Sequence, residues 1–275
     1  MPKDKPRQAE ARRLDSPQNP VVKEAAGLLR KRPGTKGAPF IVEGMNLVEA
    51  AMGSGRAWLD TVFYTPEFAE RQRRFFKSLA GLGATMYECA PRVLEKLSTE
   101  KTPQGIVGVV SLKEASFRDM AGEGPVVISD GMQDPGNMGS LIRTADAAGA
   151  SGVVLLSGSC DPLMPKALRA SAGSAMHIPI IHAKMDEAIS ALKSLGYKLC
   201  AASATEGVSV FDTDLSGRIA FIFGNEGSGI SQYMSEATGF HMHVPIVGRA
   251  ESLNVAASAA VILYEWVRQN PRASS

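Results

Sequence analysis

Three short, almost unbroken apolar runs in the second half of the chain constrain its fold more than any other feature: PVVISD (125–130), GVVLLS (152–157) and IAFIFG (218–224 with its leading arginine). A strand with one face in water alternates apolar and polar residues. Runs that are apolar at nearly every position therefore predict strands buried on both faces, as in a parallel sheet between helices. Helical segments fall between them, at about 137–148, 165–172 and 185–195, and the strand-like stretches KLCAASA and HMHVPIV and a final helix from Leu253 complete the series. The expected class is α/β. In such sheets ligands collect at the carboxyl ends of the strands, so the segments following Asp130, Phe223 and Val247 are expected to hold the site.

The front of the chain reads differently. Residues 1–18 are polar, contain proline and lack periodicity, and are expected to form a mobile tail. Asn19 and Pro20 look like an N-cap and first-turn proline for a helix that should stop near Pro33 and Gly34. Extended and helical runs then alternate through FIVEG, WLDTVFYT, a helix over 66–79, ATMYECA, a helix from Pro91 and GIVGVVSL. This predicts a small α/β domain over 19–115, a Gly- and Pro-containing linker over 116–124, and a second domain over 125–270.

Composition enters where it excludes. With 44% hydrophobic and 21% charged residues the whole chain is neither disordered nor a disulfide scaffold. The longest uncharged apolar run ends at Tyr264 and spans about 12 residues, short of the roughly 20 that cross a membrane, so no membrane association is expected. Cys89, Cys160 and Cys200 show no CxxC spacing, and no charged-then-apolar segment leads the sequence, which points to a cytoplasmic protein. Charge is uneven: residues 1–120 carry 20 basic and 14 acidic side chains, and 121–275 carry 10 and 14. The excess lies in the first 40 residues and includes Arg30, Lys31, Arg32 and Lys36, an electrostatic footprint for a polyanion or simply a solvated surface.

Three segments carry candidate chemistry. In DGMQDPGNMGSLIRTADAAGA (130–150) a Gly- and Pro-rich turn leads from a strand into a helix opening at Asn137, with Arg143 six residues on. The turn suits an anion, or is an ordinary capped helix with a solvated arginine. In FIFGNEGSGIS (221–231) Glu226 stands among glycines, and the pattern is neither a dinucleotide fingerprint nor a phosphate-binding loop. In VPIVGRAESLNVAASAAVILYEWV (244–267) Ser252 reads as an N-cap, with Asn254 beside it, for a helix whose one charge is Glu265. A helix apolar on every side must be covered on every side, by its own sheet or by a second subunit. His241 and His243 alternate on a strand without a third ligand nearby, so no metal is expected. No GxSxG elbow occurs, and Glu43 reads as a helix cap.

In this order the three segments resemble the three motifs of the SpoU (TrmH-like) RNA ribose methyltransferases of the SPOUT class, and DPLMPKALRASAGSAMHIPI (161–180) resembles the family's connecting segment. NPVVKEAAGLLRKR, FIVEG and QGIVGVV are similar to the ribosomal-protein-like α/β substrate-binding domain that often precedes it. The resemblance implies a trefoil knot in the carboxyl-terminal domain, a homodimer, and S-adenosylmethionine held by the last loops through Gly224, Val244, Ile246 and Leu253. It implies transfer of a methyl group to a ribose 2′-hydroxyl, with Asn137, Arg143, Glu226, Ser252 and Asn254 as catalytic residues. A guanidinium stays protonated, so Arg143 is expected to clamp a phosphate that takes the proton, with Asn137 and Glu226 fixing the arginine and Ser252 and Asn254 placing the ribose. The implied partner is RNA, contacted through Arg30, Lys31, Arg32 and Lys36, and ribosomal RNA in preference to transfer RNA. The alternatives are a transfer-RNA enzyme and a non-catalytic ribosome-assembly factor.

Overall fold

The computed structural model describes residues 12–29, 37–204, 206–238 and 240–271. The chain divides into two compact units, one running to Glu114 with Leu163–Pro165 added, the other made of Ala115–Pro162 and the chain from Lys166 onward.

In the first unit the elements are β1 (Arg12–Leu14), α1 (Pro20–Leu28), β2 (Phe40–Glu43), α2 (Met45–Gly53), β3 (Ala57–Tyr64), α3 (Pro66–Arg71), α4 (Arg73–Ala80), β4 (Thr85–Cys89), α5 (Pro91–Leu97) and β5 (Ile106–Leu112). They build a five-stranded sheet in the order β1-β4-β3-β5-β2, in which β5 runs antiparallel to both its neighbours. On one face Ile41, Phe63, Tyr87 and Val107 pack under Val22, Val93, Leu94 and Leu97, with the Phe63 and Tyr87 rings stacked at 5.5 Å. On the other face Gly108 leaves room for its neighbours: a Cβ there would stand 2.8 Å from Leu59 and 3.0 Å from Val42.

Three expectations are corrected here. Residues 12–14 are a strand paired in parallel with β4 rather than tail, and Leu14 is only 7% exposed; a three-residue strand is too short to show a period. The helix expected over 66–79 is two helices broken at Gln72, although no glycine or proline interrupts it. Aromatic packing accompanies the break, with Phe68 against Phe75 and Tyr64 against Phe76. The expected linker is folded structure: Ser116 and Asp119 form a capping box over a 3-10 turn (Phe117–Met120), Met120 is fully buried, and the Tyr197 hydroxyl donates to the Met120 and Gly124 carbonyls at 2.7 and 3.1 Å.

The second unit contains β6 (Val126–Ser129), α6 (Pro135–Ala147), β7 (Gly152–Leu155), α7 (Pro165–Ser171), β8 (Ile180–His182), α8 (Met185–Ser194), β9 (Lys198–Ser203), β10 (Val208–Ser209), β11 (Ile219–Phe223), α9 (Gln232–Thr238), β12 (His241–His243) and α10 (Val255–Gln269). Its seven strands are all parallel, in the order β10-β12-β9-β11-β6-β7-β8. Every residue of β6, β7 and β11 is buried, which is why those runs lack alternation.

The winding fixes where a site can lie. From β6 the chain winds outward through β7 to β8, returns to β9 on the far side, and then inserts β11 directly beside β6. Neighbouring strands whose connections leave in opposite directions open a crevice at their carboxyl ends. There the Asp130 N–H donates to the Phe223 carbonyl at 2.8 Å, holding the two exits together. Helix α10 packs against α6. It begins at Val255, with Asn254 rather than Ser252 as its N-cap, accepting from the Ala256 N–H at 3.0 Å. It is not covered all round by its own chain, since Ala257 and Tyr264 are exposed. The buried Glu265 is satisfied by Arg268 and Gln269, whose hydrogen bonds hold its carboxyl at about 2. No described helix is long and apolar enough to cross a membrane.

Candidate active site

The turn after β6 enters α6 through Asp134, whose side chain caps the helix by accepting from the Asn137 N–H at 2.9 Å, with Pro135 as the first helical residue. Helix α6 thus opens two residues earlier than expected, and Asn137 lies within its first turn. The Lys166 ammonium donates to the other Asp134 oxygen at 2.9 Å, and these two contacts hold the Asp134 carboxyl below the usual range.

The turn after β11 is built by Asn225. Its backbone exchanges two hydrogen bonds with Gly229, at 2.9 and 3.0 Å, and its side-chain oxygen accepts from the Gly227 and Ser228 N–H groups. Its side-chain NH2 donates to the Gly131 carbonyl at 2.9 Å, tying this turn to the one after β6. Gly224 is required by the same turn, because a Cβ there would lie 2.2–2.3 Å from the Gly229 carbonyl and the Ile230 nitrogen. Asn225 is not among the residues expected to carry the site; its signal is an asparagine at the foot of a tight glycine turn.

At the tip of that turn Glu226 reaches back to α6. One oxygen accepts from the Asn137 side-chain NH2 at 3.0 Å and the Asp134 N–H at 3.3 Å, and the other from the Gln133 N–H at 3.4 Å. Partial burial works to raise the Glu226 carboxyl, but the hydrogen bond from Asn137 and those from backbone N–H groups outweigh it, so the net displacement is downward. The carboxylate only accepts, which obliges Asn137 to turn its NH2 toward it. The Asn137 oxygen is then left for the Asn254 NH2, at 3.0 Å, and the Asn254 oxygen for the cap of α10. One directed chain of hydrogen bonds, Asn254 to Asn137 to Glu226, thus joins the loops following β12, β6 and β11.

Other expected site residues are placed apart from this chain. Arg143 is exposed and forms no hydrogen bond among the described residues. Six residues along a helix from Asn137, it points about 240° round the axis. The expectation that Asn137 and Glu226 fix the arginine is therefore corrected: they bind each other. Ser252 is exposed and, among the described residues, forms no hydrogen bond to the three-residue chain. Arg30, Lys31, Arg32 and Lys36 lie outside the described residues. Glu43 does not cap a helix N-terminus but accepts from the Ser98 hydroxyl and from the Thr99 N–H at 3.2 Å.

The stretch 244–253 contains Val244, Ile246 and Leu253. Among the described residues its backbone takes part in none of the hydrogen bonds of the chain's turns and loops, and 247–253 is exposed throughout. Directly before it, the His243 Nδ1 is buried without a hydrogen-bond partner among the described residues. Free backbone donors and acceptors between apolar side chains fit a flat nucleoside with hydrogen-bonding edges. By the entry to α6, burial and then the negative charges of Asp134, Asp161 and Glu226 push the Cys160 thiol up to about 11, which keeps it protonated at neutral pH.

Residues 124–264 match the SpoU rRNA Methylase family. The chain belongs to that family. Residues 19–108 match the MRM3-like substrate binding domain. The 23S rRNA (guanosine(2553)-2'-O)-methyltransferase RlmP of Bacillus subtilis is 33% identical over 253 residues, covering 92% of this chain and 98% of its own length. The AdoMet-bound rRNA methyltransferase of Sinorhizobium meliloti is 30% identical with a TM-score of 0.82, covering 94% of this chain and 98% of its own. The SpoU methyltransferase AviRb of Streptomyces viridochromogenes, in complex with the cofactor AdoMet, is 27% identical with a TM-score of 0.80, covering 92% and 98%. The SpoU match spans all three members of the hydrogen-bonded chain, and the substrate-binding match falls within the first unit.

Proposed function

We propose that this SpoU protein transfers a methyl group from S-adenosylmethionine to a ribose 2′-hydroxyl of RNA, with ribosomal RNA as the substrate. The observation that carries the reading is the hydrogen-bonded chain Asn254, Asn137, Glu226 at the switch point of the sheet. It is supported by membership of the SpoU family and by relatives named for rRNA 2′-O-methylation or solved with AdoMet.

When bound, the cofactor supplies an activated methyl on a sulfonium; the protein contributes alignment and a route for the hydroxyl proton. Val244, Ile246 and Leu253 hold the adenosine between apolar walls, with the unengaged backbone of 244–253 reading its edges and Gly224 keeping the adjoining turn tight. Glu226, fixed by three donors, keeps the first turn of α6 and the cap of α10 in register, so the loops after β6, β11 and β12 form one wall. Asn254 and Ser252 place the ribose.

Arg143 clamps an RNA phosphate, and that phosphate accepts the hydroxyl proton. Because Arg143 lies on another face of α6 from Asn137, the reading includes a homodimer in which one protomer's arginine serves its partner's site. The exposed Ala257 and Tyr264 of α10 support a second copy on that helix. A trefoil knot tied by the last loops, RNA binding by the first unit and a cytoplasmic location complete the reading.

Two experiments test it. Calorimetric titration should show S-adenosylmethionine binding and no heat with NAD or ATP; the reverse pattern removes the reading. At saturating RNA, Arg143→Lys should lose most of the methylation rate, because an ammonium cannot grip phosphate bidentately; retention of most of the rate contradicts the clamp.

A further inference from the structure

Trp58 on β3 is 53% exposed, an uncommon place for so large an apolar side chain. The β3–β5 register sets it opposite Ser111. One step beyond the paired strands, the Lys113 N–H donates to the Arg56 carbonyl at 2.8 Å, so Arg56 stands opposite Lys113. Residues two apart on a strand share a face, which brings Arg56, Trp58, Ser111 and Lys113 to one side of the sheet. The Arg56 guanidinium is held there by donating to the Lys113 carbonyl at 3.2 Å.

Two like charges directly opposite on antiparallel strands destabilise the pair. Among the described residues neither cation has a carboxylate within 4.0 Å. The neighbouring Asp60 is engaged by the Ser111 hydroxyl at 2.6 Å. An apolar protein partner covering Trp58 would strip water from two facing cations without compensating them. A nucleic acid strand compensates both: its bases stack on an indole face and its phosphates pair with cations.

We propose that Arg56, Trp58 and Lys113 form a platform on which an unpaired RNA base stacks, with the two cations on the phosphates flanking it. The proposal rests on the reading of the chain as an RNA methyltransferase and adds where the first unit grips the substrate.

Tryptophan fluorescence gives a direct test, because Trp266, the other of the two tryptophans, is 3% exposed with its indole N–H donated to the Gly217 carbonyl. Titration of the full chain with a short unstructured oligouridine should quench the exposed Trp58 emission in a saturable way. Trp58→Ala should abolish that quenching and weaken oligouridine binding about 5- to 150-fold, while Trp58→Phe retains most of the affinity. Lys113→Ala should reduce the slope of log Kd against log salt by roughly one phosphate contact. An unchanged thermal midpoint in Trp58→Ala confirms an intact fold. The proposal is overturned if oligouridine binds without quenching Trp58, or if Trp58→Ala binds oligouridine and methylates ribosomal RNA with unchanged Kd and KM; that second result leaves the methylation reading standing. Failure of the wild type to bind or methylate any RNA removes both.

Discussion

Two stretches of the second unit are built on opposite plans. The turns after β6 and β11 are crossed by hydrogen bonds: Asn225 to Gly131, Glu226 to Gln133, Asp134 and Asn137, Asn137 to Asn254. The stretch 244–253, beyond α9 and β12, is exposed over 247–253 and makes no such bonds among the described residues. The bonded turns are therefore set in place by folding, whereas in the proposed site the stretch 244–253 has donors and acceptors to offer a ligand. Under the proposed reading the difference teaches where binding energy would go: the bonded wall would need no reorganisation when S-adenosylmethionine arrives, and the open stretch would become ordered by it.

The contrast breaks most severely at Gly224. A methyl group there meets backbone 2.2 Å away, with no flexible side chain to yield. Gly224→Ala should cost on the order of 3 kcal/mol in denaturant unfolding and abolish S-adenosylmethionine binding; an unchanged unfolding midpoint would mean the turn is not the rigid wall described here. A smaller effect is expected at Glu226. Glu226→Ala leaves three donors on α6 and its entry without their acceptor, in a partly exposed place, so stability should fall by only about 1 kcal/mol. The methylation rate should nonetheless drop about 100-fold, because the loops lose their common register. Single-turnover kinetics beside a melting curve separate the two.

The open stretch gives the mildest effect and the sharpest contrast. Its backbone amides should exchange with deuterium near the unprotected rate in the free protein and at least about tenfold more slowly with S-adenosylmethionine, while amides of α6 change little. Acid titration sharpens the comparison again. The folded Glu226 carboxyl is displaced below its ordinary value of 4.5, so its contribution is fully present above pH 4.5 and is lost as pH falls through the lower folded value. The bonded wall should stay intact from neutral pH down to that range, as followed by the Asn137 side-chain amide resonances.

Much of this arrangement is legible in the amino-acid sequence, for physical reasons. Strands buried on both faces must be apolar throughout, so β6, β7 and β11 declare themselves. Glycines and polar residues at strand ends draw attention because ordinary loops rarely need that combination, and Asn137, Glu226 and Asn254 do converge. What escapes is whatever depends on partners distant in the chain. Leu14 becomes a core residue only because β4 lies beside it, and Met120 because Tyr197 holds its turn from 77 residues away. The break at Gln72 accompanies aromatics packed on a sheet that no local pattern displays. Asn137 is expected to help fix Arg143, but six residues of helix turn the two side chains apart. Asp134 rather than Asn137 opens α6, since a proline prefers the first turn and needs a cap directly before it.

The most direct test of the central reading is to incubate purified protein with S-adenosylmethionine and unmodified ribosomal RNA and map the sugar methylation by nucleotide-resolution mass spectrometry. The reading predicts a cofactor-dependent 2′-O-methyl group at a discrete nucleotide, lost when Asn137→Ala breaks the chain from Asn254 to Glu226. Methyl groups on bases, or 2′-O-methylation undiminished in that variant, would contradict it.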